Sequence, residues 1–510
     1  MRRTLSLSVP IIGVAFALTT QVSAGGDAAA CAAMKNATVP GVNLTVTKAD
    51  WLPAAGSLPA YCRVDGMIDR RTGAEGQPFG IGFALALPED WNGRFLQQGG
   101  GGLNGRVAPP TGANAAGDTS GLARHFAVVT TDTGHQGQAF DASFMRDQQA
   151  ALDFAYVAVG RVALLAKALI TQYYGKPADH SYFSGCSTGG REAMLMAERY
   201  PSFFDGIVAG SPAMRTNHSN LALRSMVVTF NRLRPHDSSG KLTDPAFSDS
   251  DRKAVVDGIV NACDAADGVK DGMIFNPRGC RFDPAALVCK GAKADGCLSR
   301  EQADAIVKAF AGPKDSQGHQ VYPGFLFDTG IGATGQGIPG ILAPNAGPPV
   351  GAPVTTELDI DRAEREADGD ALQILIDTAS WTNLGGFSGH GGKLLFYHGM
   401  SDPWFSALDT AGYYERVEQD NGGADKVQGW SRLFLVPGMG HCGGGATTTD
   451  RFDLLTAVVD WVEKGIAPDA VRATGQSVPG RSRPLCPYPQ YAAYKGTGDP
   501  QDAANFTCRK

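Results

Sequence analysis

The sequence has no block of like charges, and its formal net charge is only −6 over 510 residues. A protein whose main partner is nucleic acid needs a concentrated basic face, so that class is set aside. No Cys-x-x-Cys pair occurs, and a histidine adjoins a cysteine only at His441-Cys442, which argues against a thiolate metal cluster. No internal repeat is present. Beyond the N-terminal segment, no second apolar run reads as long enough to span a bilayer, which takes about 20 residues. What remains has a soluble, globular balance, with 43% hydrophobic and 19% charged residues. Glycine and proline, 66 and 30 residues, are abundant but below the level of disorder, so a compact, loop-rich chain is expected. Its length implies two or three structural units at about 150 residues each.

The N-terminus carries Arg2 and Arg3, a mostly apolar stretch over 9–19, and the small residues Val22-Ser23-Ala24. This is the layout of a signal peptide over 1–24, with a secreted or periplasmic destination. The apolar stretch is short for a membrane anchor. Cys31 follows Ala28-Ala29-Ala30 without the leucine of a lipoprotein cleavage site, so no lipid anchor is expected. In an exported chain the ten cysteines are expected to form disulfides, although spacing alone leaves most of the connectivity open.

Residues 25–80 read as short strands and turns. Strand-like runs follow at 81–87, 94–98 and 126–131, then a helix over 149–174, a short strand at 181–184, a helix over 191–200 and a strand at 207–210. The pattern breaks over 212–390, which holds helices, four cysteines and a Pro/Gly-rich loop at 338–354. It resumes with a strand at 393–398, a helix over 408–419, a strand at 432–436 and a helix over 451–464. Alternating strands and helices predict an α/β fold with a mainly parallel sheet. The break predicts one hydrolase core, 25–211 and 391–510, with 212–390 inserted as a lid domain.

Gly185-Cys186-Ser187-Thr188-Gly189 has the Gly-x-Ser-x-Gly form, in which glycines let a serine sit on a sharp strand-to-helix turn. Alone the pattern is weak; a preceding apolar strand and a following helix strengthen it. The helix also places N–H groups near a developing oxyanion. A serine nucleophile needs a base, and the base needs an orienting acid. Asp402, after the strand at 393–398, and His441, after the strand at 432–436, follow in the hydrolase order and sit on loops at strand ends. His135, His390 and His398 are rival bases that read better as structural or substrate-facing. If Ser187 meets His441, then Cys186 and Cys442 also meet, and a disulfide would staple nucleophile to base.

Gly185-Cys186-Ser187-Thr188-Gly189-Gly190-Arg191-Glu192, Asp402 and His441-Cys442 together resemble the tannase and feruloyl esterase family, which includes a terephthalate-monoester hydrolase. The likeness extends to Pro484-Leu485-Cys486-Pro487-Tyr488-Pro489. It implies an α/β-hydrolase core with a lid, and an acyl-enzyme route. It also implies oxyanion donors at Thr188 and within 99–102, at Gly101 or Gly102, and the pairs Cys31–Cys62, Cys289–Cys297 and Cys486–Cys508.

Asp264, Asp267 and Asp271 lie on a Gly-bent loop, close-spaced hard oxygen donors of the kind calcium takes; composition alone equally allows a solvated acidic turn. The resemblance implies calcium, with the Val269 and Met273 carbonyls completing the set. Cys263 and Cys280 flank the loop and are expected to bridge. Calcium there would stabilise the lid.

By the same resemblance the substrate is a small aromatic ester: feruloyl, galloyl or the terephthalate monoester. Phe405 is a candidate to stack on its ring and Trp404 is a rival, with core packing an equal reading of each. The terephthalate-type enzyme holds a free carboxylate with a lid arginine. Arg362 and Arg365 sit on a charged helix and read as solvated, and the stretch from Cys297 to Asp402 looks short, so a feruloyl-type esterase is favoured. A catalytically inactive calcium-binding protein and a serine peptidase are the competing classes. No nucleic-acid or membrane partner is expected, and the sequence does not specify an oligomeric state.

Overall fold

The computed structural model describes residues 27–238, 240, 242–332, 342 and 355–510. The signal-peptide reading of 1–24 lies outside them, as does the expected loop at 338–354 apart from Leu342.

A nine-stranded sheet forms the centre, in the order β1-β2-β3-β5-β4-β6-β7-β8-β9. Its strands are β1 (Leu44–Leu52), β2 (Tyr61–Thr72), β3 (Pro78–Pro88), β4 (Arg94–Gln98), β5 (Ala127–Thr131), β6 (His180–Cys186), β7 (Gly206–Gly210), β8 (Lys393–Gly399) and β9 (Ser431–Val436). From β5 through β9 every pairing is parallel. The first three strands add an antiparallel edge. β5 and β7 are buried along their whole length, as continuous Val/Ile/Ala runs demand of strands covered on both faces. One apolar core lies on each face of the sheet. Residues 25–80 therefore differ from expectation. β1 and β2 are long strands of 9 and 12 residues, whose mixed polar sequence suits an antiparallel edge with one wet face.

The helices that matter for the site are α1 (Gln148–Tyr174), α2 (Thr188–Arg199), α3 (Thr216–Asn231), α4 (Asp249–Cys263), α5 (Arg300–Phe310), α6 (Ile360–Gly369), α7 (Ala371–Ile376), α8 (Ala407–Asp420) and α9 (Leu454–Lys464). α1 corrects one expectation, since it is long and apolar enough by composition to cross a membrane. Most of it is buried in the protein core instead. It contains a π-turn over Asp153–Val157. α2 begins at Thr188, three residues before its expected start, because the turn at Ser187 leads straight into it. α9 starts at Leu454, since Arg451–Phe452 pairs instead as strand β10. β10 joins β11 (Val471–Thr474) and β12 (Ser482–Leu485), while β13 (Tyr491–Tyr494) pairs with β14 (Phe506–Arg509).

Between β7 and β8 the described chain is helical and adds no strand to the central sheet. α4 and α5 each start at a capping box, Ser248 with Asp251 and Ser299 with Gln302, which satisfies their first free N–H groups reciprocally. Val255, Ile259, Ile306, Phe310 and Tyr322 belong to a separate apolar cluster of this segment. All ten cysteines are paired: Cys31–Cys62, Cys186–Cys442, Cys263–Cys280, Cys289–Cys297 and Cys486–Cys508.

Candidate active site

The strands β4, β6, β8 and β9 are parallel, so the loops that leave their C-terminal ends emerge at the same edge of the sheet. These loops carry Gly99 to Gly102, Ser187, Asp402 and His441 respectively. Residues up to 342 positions apart in the chain, Gly99 and His441, are thus carried to the same edge of the sheet.

Ser187 turns the chain from β6 into α2 with φ 65° and ψ −123°, a conformation strained for a non-glycine residue. Its neighbours explain the motif. A methyl group on Gly185 would lie 2.4 Å from the Gly189 carbonyl oxygen, and one on Gly189 would lie 2.6 Å from that of Gly100. Ser187 Oγ makes no hydrogen bond among the described residues. Behind the turn, Arg191 is buried and donates to the carbonyls of Ala155 (2.7 Å) and Phe154 (3.0 Å). Both carbonyls belong to the π-turn in α1. Burial lowers the pKa of Arg191 to about 10.

His441 Nδ1 lies 2.7 Å from Asp402 Oδ2. Its Nε2 is buried with no hydrogen-bond partner among the described residues. The Cys186–Cys442 bond, with Cα atoms 5.9 Å apart, ties the residue before Ser187 to the residue after His441. Asp402 is buried, and its Oδ1 accepts the N–H groups of Trp404 (2.9 Å) and Phe405 (3.1 Å). Burial opposes its charged form, but His441 and His398 outweigh burial and hold the carboxyl well below the usual carboxylate range. His398, a rival base by sequence, is fully buried on the other side of Asp402. Its Nε2 lies 2.9 Å from the Phe405 carbonyl and 3.3 Å from Asp402 Oδ2, and its Nδ1 lies 2.8 Å from Thr410 Oγ1. A carbonyl only accepts, so Nε2 carries the proton and His398 supports the carboxylate. His135, the earlier rival, is buried and stacks on Phe144, with ring centroids 3.5 Å apart. His390, the third, lies just after the short helix Gly385–Gly389.

The loop after β4 is held from α2. Glu192 Oε2 accepts the Gly100 N–H (3.0 Å) and Oε1 accepts Asn104 Nδ2 (2.5 Å). Gly189 donates to the Gly100 carbonyl (3.0 Å), and the Thr188 hydroxyl donates to the Gly102 carbonyl. The N–H groups of Gly101 and Gly102 have no acceptor among the described residues. The Thr188 N–H heads the first turn of α2, where no intrahelical acceptor exists.

Ser187, Thr188, Gly102, Trp404 and Phe405 line one cavity of about 230 Å³. Trp404 and Phe405 both pack on the His441 ring, at centroid separations of 5.6 and 5.3 Å. The sequence reading missed Phe140, which meets Trp404 edge-on at 5.2 Å and stays 42% exposed at the cavity mouth. Its positive φ of 65°, unusual for a bulky residue, has no signature in a single sequence. It also missed Glu192 as a holding group, although that residue lies within the serine motif itself. Far walls of the cavity come from Thr216 and Asn220 in α3 and Gln373 in α7. Arg362 is on the exposed face of α6, paired with Glu366 at 2.8 Å, and Arg365 is exposed too.

The Asp264–Met273 loop lies elsewhere. Asp264 accepts the N–H groups of Asp271 and Gly272 (3.1 Å each), Asp267 that of Val269 (3.1 Å) and Asp271 that of Met273 (3.0 Å). Arg483, buried, donates to Asp271. Among the described residues no three carboxylate, imidazole or thiolate groups converge as a metal cage. The donor chemistry nonetheless suits a hard cation. Asp267 Oδ2 is buried with no hydrogen-bond partner among the described residues, and burial, with Asp271 and Asp264 nearby, pushes the Asp267 carboxyl up to about 7.

A mixed, mainly parallel sheet with serine, aspartate and histidine loops at its C-terminal edge defines an α/β-hydrolase-type fold. A family model described as tannase and feruloyl esterase matches residues 62–346 and 350–509, and the chain belongs to that family. It is 40% identical to the mono(2-hydroxyethyl) terephthalate hydrolase of Piscinibacter sakaiensis, over 94% of this chain and 91% of that one. It is 33% identical to a probable feruloyl esterase of Arthroderma benhamiae, over 84% and 82%. Among solved structures, feruloyl esterase B of Aspergillus oryzae superposes with a TM-score of 0.77 at 27% identity, covering 94% of this chain and all of that one. The protein is a carboxylic ester hydrolase.

Proposed function

We propose that the protein is a secreted or periplasmic serine esterase that cleaves aromatic, hydroxycinnamoyl-type esters through an acyl-enzyme. One observation carries the reading. His441 has its Nδ1 on a buried carboxylate and its Nε2 without a partner among the described residues, beside rings that share a cavity with Ser187.

Ser187 is the nucleophile, His441 its base and Asp402 the group that orients the base. His441 Nε2 takes the Ser187 proton as Oγ attacks the ester carbonyl, and returns it to the departing alcohol. Water then attacks the acyl-serine by the same route and frees the acid. The N–H groups of Thr188 and of Gly101 or Gly102 stabilise the oxyanion. The segment over 212–390 acts as a lid, and Phe405 and Trp404 contact the ester. The loop over 264–273 would hold calcium through the carboxylates of Asp264, Asp267 and Asp271 and the carbonyls of Val269 and Met273; the ion would supply structural charge balance. Five disulfides favour an oxidising compartment.

Arg191 is the one cation among the described residues that line the cavity, and two carbonyls already hold its guanidinium. This favours an acid part without a free carboxylate. Hydrolysis of the terephthalate monoester is the second reading, favoured by the 40% identity to an enzyme of that name; galloyl esters are the third.

The test compares wild type with Ser187→Ala on methyl ferulate, methyl gallate and mono(2-hydroxyethyl) terephthalate. Wild type is expected to prefer methyl ferulate, and the variant to lose at least about 10³-fold in kcat. A preference for either other ester would select that reading. Absence of activity on all three in folded protein would remove the aromatic assignment and leave an ester hydrolase of another substrate class.

A further inference from the structure

The segment between β7 and β8 grips the Asp402 loop through residues 322–330. The Tyr322 hydroxyl accepts the Ser406 N–H (3.1 Å), and the Ser406 hydroxyl donates to the Gly324 carbonyl. The Gly330 N–H donates to Ser401 Oγ (3.0 Å), which itself donates to Asp328 Oδ2 (2.7 Å). That same carboxylate oxygen accepts the Gly438 N–H, also at 2.7 Å. Ser401 precedes Asp402, and Gly438 lies three residues before His441. One oxygen is therefore a shared acceptor for the loop of the acid and the loop of the base.

The surroundings leave little slack. Asp328 and Ser401 are buried. A methyl group on Gly330 would lie 2.5 Å from the Gly438 carbonyl oxygen and 2.7 Å from Ser401 Cβ. The two loops also meet directly, Ser401 N–H to the Met439 carbonyl at 2.9 Å. Yet Asp328 Oδ1 and Thr329 Oγ1 are buried with no hydrogen-bond partner among the described residues. A carboxylate buried with one oxygen unmet is a costly way to hold a core together, where an apolar side chain would serve. It is an effective way to place two donors at one point.

We propose that Asp328 is a positioning residue: by accepting from Ser401 and Gly438 on one oxygen, it sets the spacing of the Asp402 and His441 loops, so the segment outside the sheet helps determine the acid–base geometry. The proposal rests on the triad reading above. Asp328 is not among the residues lining the cavity with Ser187.

The experiment uses the full-length enzyme on methyl ferulate, or on whichever of the three esters it prefers, and measures kcat, KM and thermal midpoint for Asp328→Ala, Asp328→Asn and Ser401→Ala. Asparagine can put its carbonyl oxygen at the position of Oδ2 and keep both donors; alanine loses both. A misplacement of about 1 Å costs on the order of 10²-fold in rate. Asp328→Ala should therefore lower kcat 10- to 100-fold, by that rule of thumb, with KM within about twofold, and Asp328→Asn should recover most of kcat. Unchanged kcat in the alanine variant, a loss confined to KM, or an asparagine variant no better than alanine would overturn the proposal. If Asp328→Ala does not fold, the other two variants decide. Asp328→Asn must keep kcat while Ser401→Ala, which leaves the Gly438 bond in place, lowers kcat at unchanged KM; any other pairing overturns it. A Ser187→Ala control separates the two readings. Retained activity there would sink the triad and this proposal together, whereas an inactive control with an indifferent Asp328 sinks this proposal alone.

Discussion

Removing the Cys186–Cys442 bond by the double change Cys186→Ala/Cys442→Ala separates two roles that one covalent link can have. The first is stability. The bond closes a loop with a sequence separation of 256. Loop-closure entropy grows only with the logarithm of length, so the shorter bridges nested inside change little, and the expected loss is about 5 kcal/mol. Unfolding entropy of about 2.1 cal/mol/K per residue gives about 1.1 kcal/mol/K for the whole chain, so the midpoint should fall by about 5 °C. The second role is local. Ser187 and Cys442 both have φ near 65°, a conformation that costs roughly 1–3 kcal/mol at a non-glycine residue and persists only when its surroundings enforce it. Freed from the bond, the His441 loop can relax away from Ser187, and kcat should fall about 10²-fold even well below the midpoint. The assay pairs initial rates on methyl ferulate, taken about 20 °C below each protein's own midpoint, with calorimetric unfolding. A lowered midpoint with unchanged kcat would refute the positioning argument. An unchanged midpoint would refute the entropic one.

Glu192→Gln keeps the size of the side chain but supplies one acceptor where Gly100 and Asn104 now use two. It should lower kcat about tenfold at nearly constant KM, the loss expected of one charge-assisted hydrogen bond; full kcat would show that the loop after β4 holds its shape unaided. Chelation by EGTA should lower the midpoint by about 3 °C relative to calcium at 100 times its Kd, and Asp267→Asn should abolish that difference; equal midpoints with and without calcium would remove the ion from the loop. The depressed Asp402 carboxyl contributes stability that is present above its unfolded pKa near 4 and is lost as pH falls through the folded value. The midpoint gap between wild type and Asp402→Asn should therefore narrow as pH drops from 7 to 3, and a constant gap would contradict the charged, buried carboxylate.

The strand at 207–210 is legible because hydrophobic continuity is a local property of a buried parallel strand, and the observed β7 extends it by one residue; β4 is legible at 94–98 although only Phe95 and Leu96 are apolar. The start of α2 reads from sequence three residues too late, because Thr188-Gly189-Gly190 has poor helix propensity, and the turn at Ser187 overrides it. The long β1 and β2 read from sequence as short pieces, since their polar faces break the apolar signal; pairing of β1 with β2 and of β2 with β3 makes them strands. α1 reads from sequence as an ordinary core helix; its apolar stretch passes the length for a membrane span, yet the helix is mostly buried in the protein and keeps Leu164 exposed.

By itself the sequence determined the strand-to-helix turn at Ser187, because Gly185 and Gly189 stand where any side chain would strike backbone. Together with Cys186 and Cys442 it also implied which histidine should face that turn. Only the tertiary structure decided what holds the site in place: His398 behind Asp402, Glu192 under the Gly100 loop, Phe140 at the cavity mouth and Asp328 between two loops. Periodicity and motif spacing report short-range sterics. A hydrogen bond between Asp328 and Gly438, 110 residues apart, depends on strand order and loop course, which no local pattern carries.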